Sequence, residues 1–70
     1  MKRFLFSLGK QIDPHYMERR DLLIFEGKQL DSFPGIYAGN GIVHMTWDVG
    51  VHPYPLRFLR QFLIGVRRLV

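Results

Sequence analysis

The sequence predicts a mainly β fold, a small antiparallel sheet organised around one hairpin, and three observations predict it. Asn40-Gly41 separates two runs of strand-forming residues between Phe33 and Trp47, and Asn-Gly accepts the positive φ angles of a two-residue type I′ turn, whose twist matches that of the flanking strands. Leu22-Leu23-Ile24-Phe25 is a continuous apolar run bracketed by Asp21 and Glu26 and followed by Gly27, the length and bracketing of a buried strand. Finally, 47% of the 70 residues are hydrophobic and 14% aromatic, too many for a disordered chain.

Along the chain, Lys2 to Leu8 is a short Phe-rich run compatible with a strand or with one helical turn, and a strand is favoured. Asp13-Pro14 marks a turn, because proline pushes its predecessor out of the helical region and has no donor of its own. Met17 to Arg20 leads into the Leu22–Phe25 strand, and the hairpin follows. Asp48 to Pro55 contains Gly50, Pro53 and Pro55 and reads as an irregular loop. From Leu56 onward two readings stand. Leu56, Leu59, Leu63, Val66 and Val70 fit a helical stripe with Arg57, Arg60, Arg67 and Arg68 to one side. Phe62-Leu63-Ile64-Gly65-Val66 has instead the composition of a strand, and Gly65 would cost a helix interior about 1 kcal/mol relative to alanine.

At this length one domain, residues 1–70, is expected, and a chain so short buries only about 60% of the surface that its unfolded form exposes. Small domains offset this with disulfides, metals or partners. There is no cysteine, which removes disulfides, thiolate metal sites and a thiol nucleophile together; partners remain. The formal net charge of +4 is uneven: residues 1–48 hold six Lys/Arg and six Asp/Glu, and residues 49–70 hold four Arg and no acid. A basic end of this kind suits an acidic protein, nucleic acid or an anionic membrane, or is simply a solvated face. Met1-Lys2-Arg3 before Phe4-Leu5-Phe6-Ser7-Leu8 imitates an export signal, but its apolar stretch stops at Gly9-Lys10, short of the roughly 7–15 residues required. The uncharged stretch from Ser32 to Trp47 is broken by proline and glycines, so no membrane-spanning helix is expected.

Three stretches, in order, resemble the second half of the NlpC family of papain-like cysteine peptidases, which includes cell-wall endopeptidases and bacteriophage tail-tip components. Arg20-Asp21-Leu22-Leu23-Ile24-Phe25 is similar to that family's Gly-Asp-Leu-hydrophobic-Phe-Phe strand, with Arg20 where the family usually has glycine. Gly35-Ile36-Tyr37-Ala38-Gly39-Asn40-Gly41-Ile42-Val43-His44 resembles its central hairpin, and Phe62-Leu63-Ile64-Gly65-Val66-Arg67-Arg68-Leu69 its closing strand. The resemblance covers roughly residues 18–70, leaving 1–17 as an N-terminal strand and turn. It implies an α+β remnant whose C-terminal segment is a strand after a short helix or turn around Leu56 to Arg60.

The departures from the family bear on activity. Such peptidases need a cysteine at a helix start, where an imidazole and the helix dipole lower the thiol pKa. Here both that helix and any cysteine are missing, and the catalytic histidine's position, two before Gly35-Ile36-Tyr37, is held by Phe33, which accepts no proton. His44 matches the polar residue that orients the catalytic histidine, with nothing left to orient. Phe33 and His44 thus read as vestiges, and no enzyme is expected.

Other chemistries find little support. His15, His44 and His52 have no metal-site spacing and no cysteine to join them; His44 reads better as a half-buried, hydrogen-bonded hairpin residue. Asp48 and Glu26 as a glycosidase pair have nothing to bring them together. Gly39 and Gly41 serve the turn, since no helix start or Lys-Ser/Thr follows to make a phosphate site. Trp47, Tyr37, Tyr54 and Phe58 could stack bases with Arg57 and Arg60 on phosphate, but a small aromatic core accounts for them better.

The resemblance implies a structural subunit of a phage tail tip or baseplate, made in the host cytoplasm and carried in the virion, with binding in place of catalysis. It needs no cofactor or metal, and its partners are other assembly subunits, not nucleic acid or membrane. Half of a papain-like fold leaves an apolar sheet face and strand edges that a neighbour can bury or extend. Phe4, Phe6, Phe33, Trp47, Tyr54 and Phe58 are the expected contacts, with Arg57 and Arg60 at the rim. The rival reading is an accessory subunit that docks on a membrane surface or in a large complex through a basic amphipathic segment at Pro55 to Val70.

Overall fold

A computed structural model describes residues 7–27, 33–47 and 50–69. Six strands, β1 (Lys10–Gln11), β2 (Leu22–Phe25), β3 (Phe33–Gly39), β4 (Ile42–Trp47), β5 (Gly50–Pro55) and β6 (Leu63–Arg68), form one sheet in the order β1-β6-β2-β3-β4-β5. Every neighbouring pair is antiparallel. Between β5 and β6 lies a short helix, α1 (Leu56–Leu59), continued by a 3-10 turn at Arg60–Phe62. This is the expected mainly β fold, and the C-terminal segment is the turn-then-strand alternative, not a sixteen-residue amphipathic helix.

β2 is central in the pairing and buried along its whole length. A strand flanked on both sides and covered on both faces must be apolar at every position, which is why four consecutive apolar residues sit there. Leu23 and Phe25 face the main core with Val43, Met45, Leu56 and Val66. Leu22 and Ile24 face the other way, packed by Leu8. The main core is roofed by Ile12 and Met17 from the N-terminal turn and by Leu59 and Phe62 around the short helix. Gly35 lies on this face where a Cβ would meet Met45 Sδ at 2.5 Å and Val43 Cγ1 at 2.7 Å, so the absence of a side chain lets β3 and β4 close over Phe25.

The β3–β4 hairpin turns on Asn40 and Gly41, with φ of 54° and 74°, the signs that a type I′ turn demands. A register shift between Tyr37 and Gly39 leaves Ala38 as an extra residue, a β-bulge just before the turn. The Tyr37 hydroxyl accepts a hydrogen bond from the Gly41 amide at 3.0 Å and closes the loop.

Three sequence expectations need correction. The loop expected over Asp48 to Pro55 is, from Gly50 onward, the strand β5, paired to β4 from Trp47↔Gly50 to Ile42↔Pro55. Its prolines are tolerated because β5 is an edge strand. The Leu56 amide reaches back to the Gly41 carbonyl at 2.7 Å, so alternate nitrogens, those of Tyr54 and His52, face β4, while Pro53 and Pro55 point to the open edge where no donor is needed. His44 is exposed, not half-buried, because Val43 and Met45 take the core face of β4 and leave His44 on the other. The aromatic core is also smaller than expected: of Tyr37, Tyr54 and Phe58 only Tyr37 packs against the core. The strand expected within Lys2 to Leu8 lies mostly outside the described residues; Leu8 is in a bend, and the first described strand begins at Lys10.

One buried charge ties the ends together. Asp21 is 2% exposed, and its carboxylate accepts from Arg68 Nε at 2.9 Å and Arg68 Nη2 at 2.8 Å, a two-pronged fit of guanidinium to carboxylate. The Glu18 amide donates to the same carboxylate at 2.8 Å. Arg68 Nη2 also reaches the Tyr16 carbonyl and Glu18 Oε2. Arg67 does likewise one residue earlier, donating to the Leu8 carbonyl at 2.8 Å and the Gly9 carbonyl at 3.0 Å. The paired arginines of β6 are thus structural, and each clamps a different part of the N-terminal segment to the last strand.

The turn that presents Asp21 is Glu18 to Asp21, closed by the Asp21 amide on the Glu18 carbonyl at 3.0 Å. Its third residue, Arg20, has φ of 81°, the left-handed geometry that position i+2 of a type II turn takes and that glycine adopts most readily. Arg20→Gly is therefore expected to raise the unfolding free energy by about 0.5–1 kcal/mol, the relief of a left-handed side chain less the added freedom of the unfolded chain, read as a higher midpoint in urea. The Arg68 hydrogen bonds hold the Asp21 carboxyl below its ordinary value. A depressed folded pKa contributes stability that is complete above the unfolded value and disappears as pH falls through the folded one, so acid should unfold the chain through this pair. Asp21→Asn should lower stability at neutral pH by roughly 2–4 kcal/mol and flatten the acid limb of stability against pH.

Candidate docking surface

The short helix begins where β5 ends because Pro55 presets an extended-to-helical corner: φ of −65° and ψ of 128° at the proline, then Leu56 turned inward and buried. With Leu56 as the anchor, Arg57, Phe58 and Arg60 are left exposed. Phe58 is 63% exposed, and the Arg57 guanidinium sits over its ring at 4.8 Å, within cation–π range. Tyr54, the last β5 residue facing the sheet's core side, is partly exposed just before the corner. Arg57 and Arg60 are exposed, and no carboxylate of a described residue pairs with either.

Beside this corner opens a cleft of about 740 Å³. One wall is the N-terminal 3-10 turn with Pro14, His15 and Met17, a second is the hairpin end with Tyr37, Asn40 and Gly41, and the third is the helix with Leu56, Arg57 and Arg60. The first wall is held by Asp13, which caps the turn by accepting from the His15 amide at 2.8 Å and from His15 Nδ1 at 2.9 Å. Those bonds, the backbone one foremost, lower the Asp13 pKa. The second wall is held by Tyr37, whose ring packs on the core while its hydroxyl braces the turn. Among the described residues, no Asp or Glu lines the cleft.

Of the contact residues read from the sequence, Tyr54, Arg57, Phe58 and Arg60 are brought together on one corner. Phe33 is partly buried, packs on the core and stacks on Phe25 with ring centres 5.6 Å apart, so it is an interior residue. Trp47 is described only in its backbone, which pairs with Gly50. Phe4 and Phe6 lie outside the described residues. Phe33 and His44 fall on opposite faces of the sheet, since Phe33 and Tyr37 face the core from β3 while His44 pairs with Ile36 on the outer face. No group of three potential metal ligands occurs among the described residues, nor does any described helix have the length and hydropathy to cross a membrane.

His15 and Asn40 joined the site without a sequence signal that marks them, because the cleft is made by three segments distant in the chain. The sheet's ends offer less than its corner. Among the described residues, β1 has two and β5 presents two prolines without donors to the outside, so neither described edge strand offers a long ladder for another strand. On the outer face Ile36 and Val51 are exposed. No protein-family model matches this chain, and none of the curated proteins matches it.

A ring left mostly in solvent contributes little to the stability of the chain. Phe58→Ala should change the unfolding free energy by no more than about 0.5 kcal/mol, whereas Leu56→Ala, two residues away and buried, should cost roughly 2–5 kcal/mol. Thermal and urea unfolding of the two variants side by side checks the contrast.

Proposed function

We propose that this chain is a non-catalytic structural subunit of a bacteriophage tail tip or baseplate, a degenerate NlpC-like module that docks on a neighbouring protein through the Tyr54–Arg60 corner. The observation that carries the docking reading is Phe58, a large ring left mostly in solvent on a short, anchored helix with Arg57 stacked on it. Aromatic and arginine side chains dominate protein interfaces because they bring large apolar area and directional donors at low conformational cost. A domain of this size without a disulfide also gains most from a partner.

The phage setting rests on the resemblance alone, and three features of the fold accord with that resemblance. The stretches that carry it are β2, the β3–β4 hairpin and β6, which lie side by side in the sheet. Asp21 of the first and Arg68 of the last form the buried ion pair. Arg20, which stands in the place of the family's glycine, keeps a glycine-like φ. The absence of catalysis is argued from residue chemistry: no cysteine in the sequence, and at the position of the base a phenylalanine engaged in the core. Against the membrane rival weigh the strand at residues 63–68 and the internal contacts of Arg67 and Arg68.

Co-expression of the full chain with the products of the genes flanking its own tests the reading. The expected result is a defined complex that Phe58→Ser weakens about tenfold or more, with no turnover of cell-wall peptides. A chain that stays monomeric beside all of them, or one that cleaves such peptides, would overturn it.

A further inference from the structure

We infer that the cleft between the N-terminal turn, the hairpin end and the short helix receives an acidic peptide segment of the docking partner, a proposal that rests on the docking reading above. The cleft is rich in donors and poor in acceptors. Arg57 and Arg60 line it without a described carboxylate to neutralise either. The Tyr37 hydroxyl spends its oxygen on the Gly41 amide, which leaves its proton to give. His15 stands at the rim with Nδ1 turned to Asp13. A ligand that satisfies these groups carries acceptors and negative charge, and the planar fork of arginine matches a carboxylate in two bonds at once.

The rest of the lining selects a peptide over a nucleic acid. Pro14, Met17, Ile42, Pro55 and Leu56 give it apolar walls that suit aliphatic side chains alternating with acidic ones. A single strand of nucleic acid needs open aromatic faces on which bases stack. Of the described rings at the cleft, Tyr37 packs on the core and His15 is drawn to Asp13; outside it Phe58 is covered on one side by Arg57, and Tyr16 and Tyr54 are exposed but do not line the cleft. The same four arginines that make the C-terminal end basic divide here by use: Arg67 and Arg68 hold the fold, and Arg57 and Arg60 are left to hold a ligand. The prolines on the β5 edge point the same way, since they disfavour strand addition along that edge.

The test is a titration of the isotope-labelled full chain, followed by its backbone amide and arginine side-chain signals, with a capped Glu-Leu-Glu-Leu-Glu peptide. The glutamine counterpart and a short oligothymidylate serve as comparisons. The expected result is saturable shifts centred on His15, Gly41, Arg57 and Arg60, at least about tenfold weaker binding in Arg57→Glu/Arg60→Glu, and weakening with added salt. Arg57→Lys/Arg60→Lys, which keeps the charge and loses the fork, should fall between the two. Absence of saturable shifts, equal binding of the glutamine peptide, or shifts centred instead on Arg19 and Arg20 would overturn the inference. Tighter binding of oligothymidylate at the same signals would overturn it in favour of nucleic acid. If the peptide fails while Phe58→Ser still loosens a complex, the cleft proposal falls and the docking reading stands; if both fail, both fall.

Discussion

The Asp21–Arg68 pair is the constraint on which the arrangement depends. A carboxylate with 2% exposure has no water to solvate it, so its charge is tolerable only with a partner of matching geometry. Arg68 supplies two donors and the Glu18 amide a third, and their positions are incompatible with any other register of β6 beside β2. Because a slip of one residue in a strand exchanges its two faces, fixing Arg68 on Asp21 also puts Val66 in the core against Leu23. The ion pair therefore acts as a register pin as much as a source of stability.

From that pin the exposed corner and its cleft follow. With β6 held beside β2, the segment that joins it to β5 must cross over one face of the sheet, and Leu56, Leu59 and Phe62 roof the core as it does so. A segment this short cannot bury both sides, so Arg57, Phe58 and Arg60 face outward. Arg67 and Arg68 meanwhile hold residues 8–9 and 16–21, and that places the N-terminal turn across from the helix and opens the cleft between them. The basic surplus of the sequence is divided by this geometry into a structural half and an available half.

Much of the fold was legible in the residues, and the failures have identifiable causes. The Asn40-Gly41 turn was legible because positive φ at two successive positions is a local demand that few residues meet. β2 was legible because a strand buried on both faces has no polar position. β5 was missed because Gly50, Pro53 and Pro55 are loop-like by local chemistry; only the pairing to β4, with both prolines facing the open edge, makes them acceptable in a strand. His44 was misjudged because burial depends on which parity of β4 faces the core. Tyr54 and Phe58 were weighed as core residues, since an aromatic side chain carries no local sign of whether a neighbour covers it. Of the expected contact residues, Tyr54, Arg57, Phe58 and Arg60 lie exposed on one corner because they are close in sequence, whereas Phe33 was drawn into the interior by its stacking on Phe25.

By itself the sequence determined the class of fold, the hairpin and its turn, the buried central strand and the absence of cysteine chemistry, because each of these is set by a local rule of backbone geometry, side-chain polarity or residue identity. The tertiary structure alone decided that Asp21 and Arg68 meet across 47 positions of chain, that Phe33 lies inside and Phe58 outside, and that three distant segments enclose a donor-lined cleft. Those outcomes are contacts between residues far apart in the chain, and a one-dimensional pattern carries no record of which distant partner occupies the space beside a given side chain.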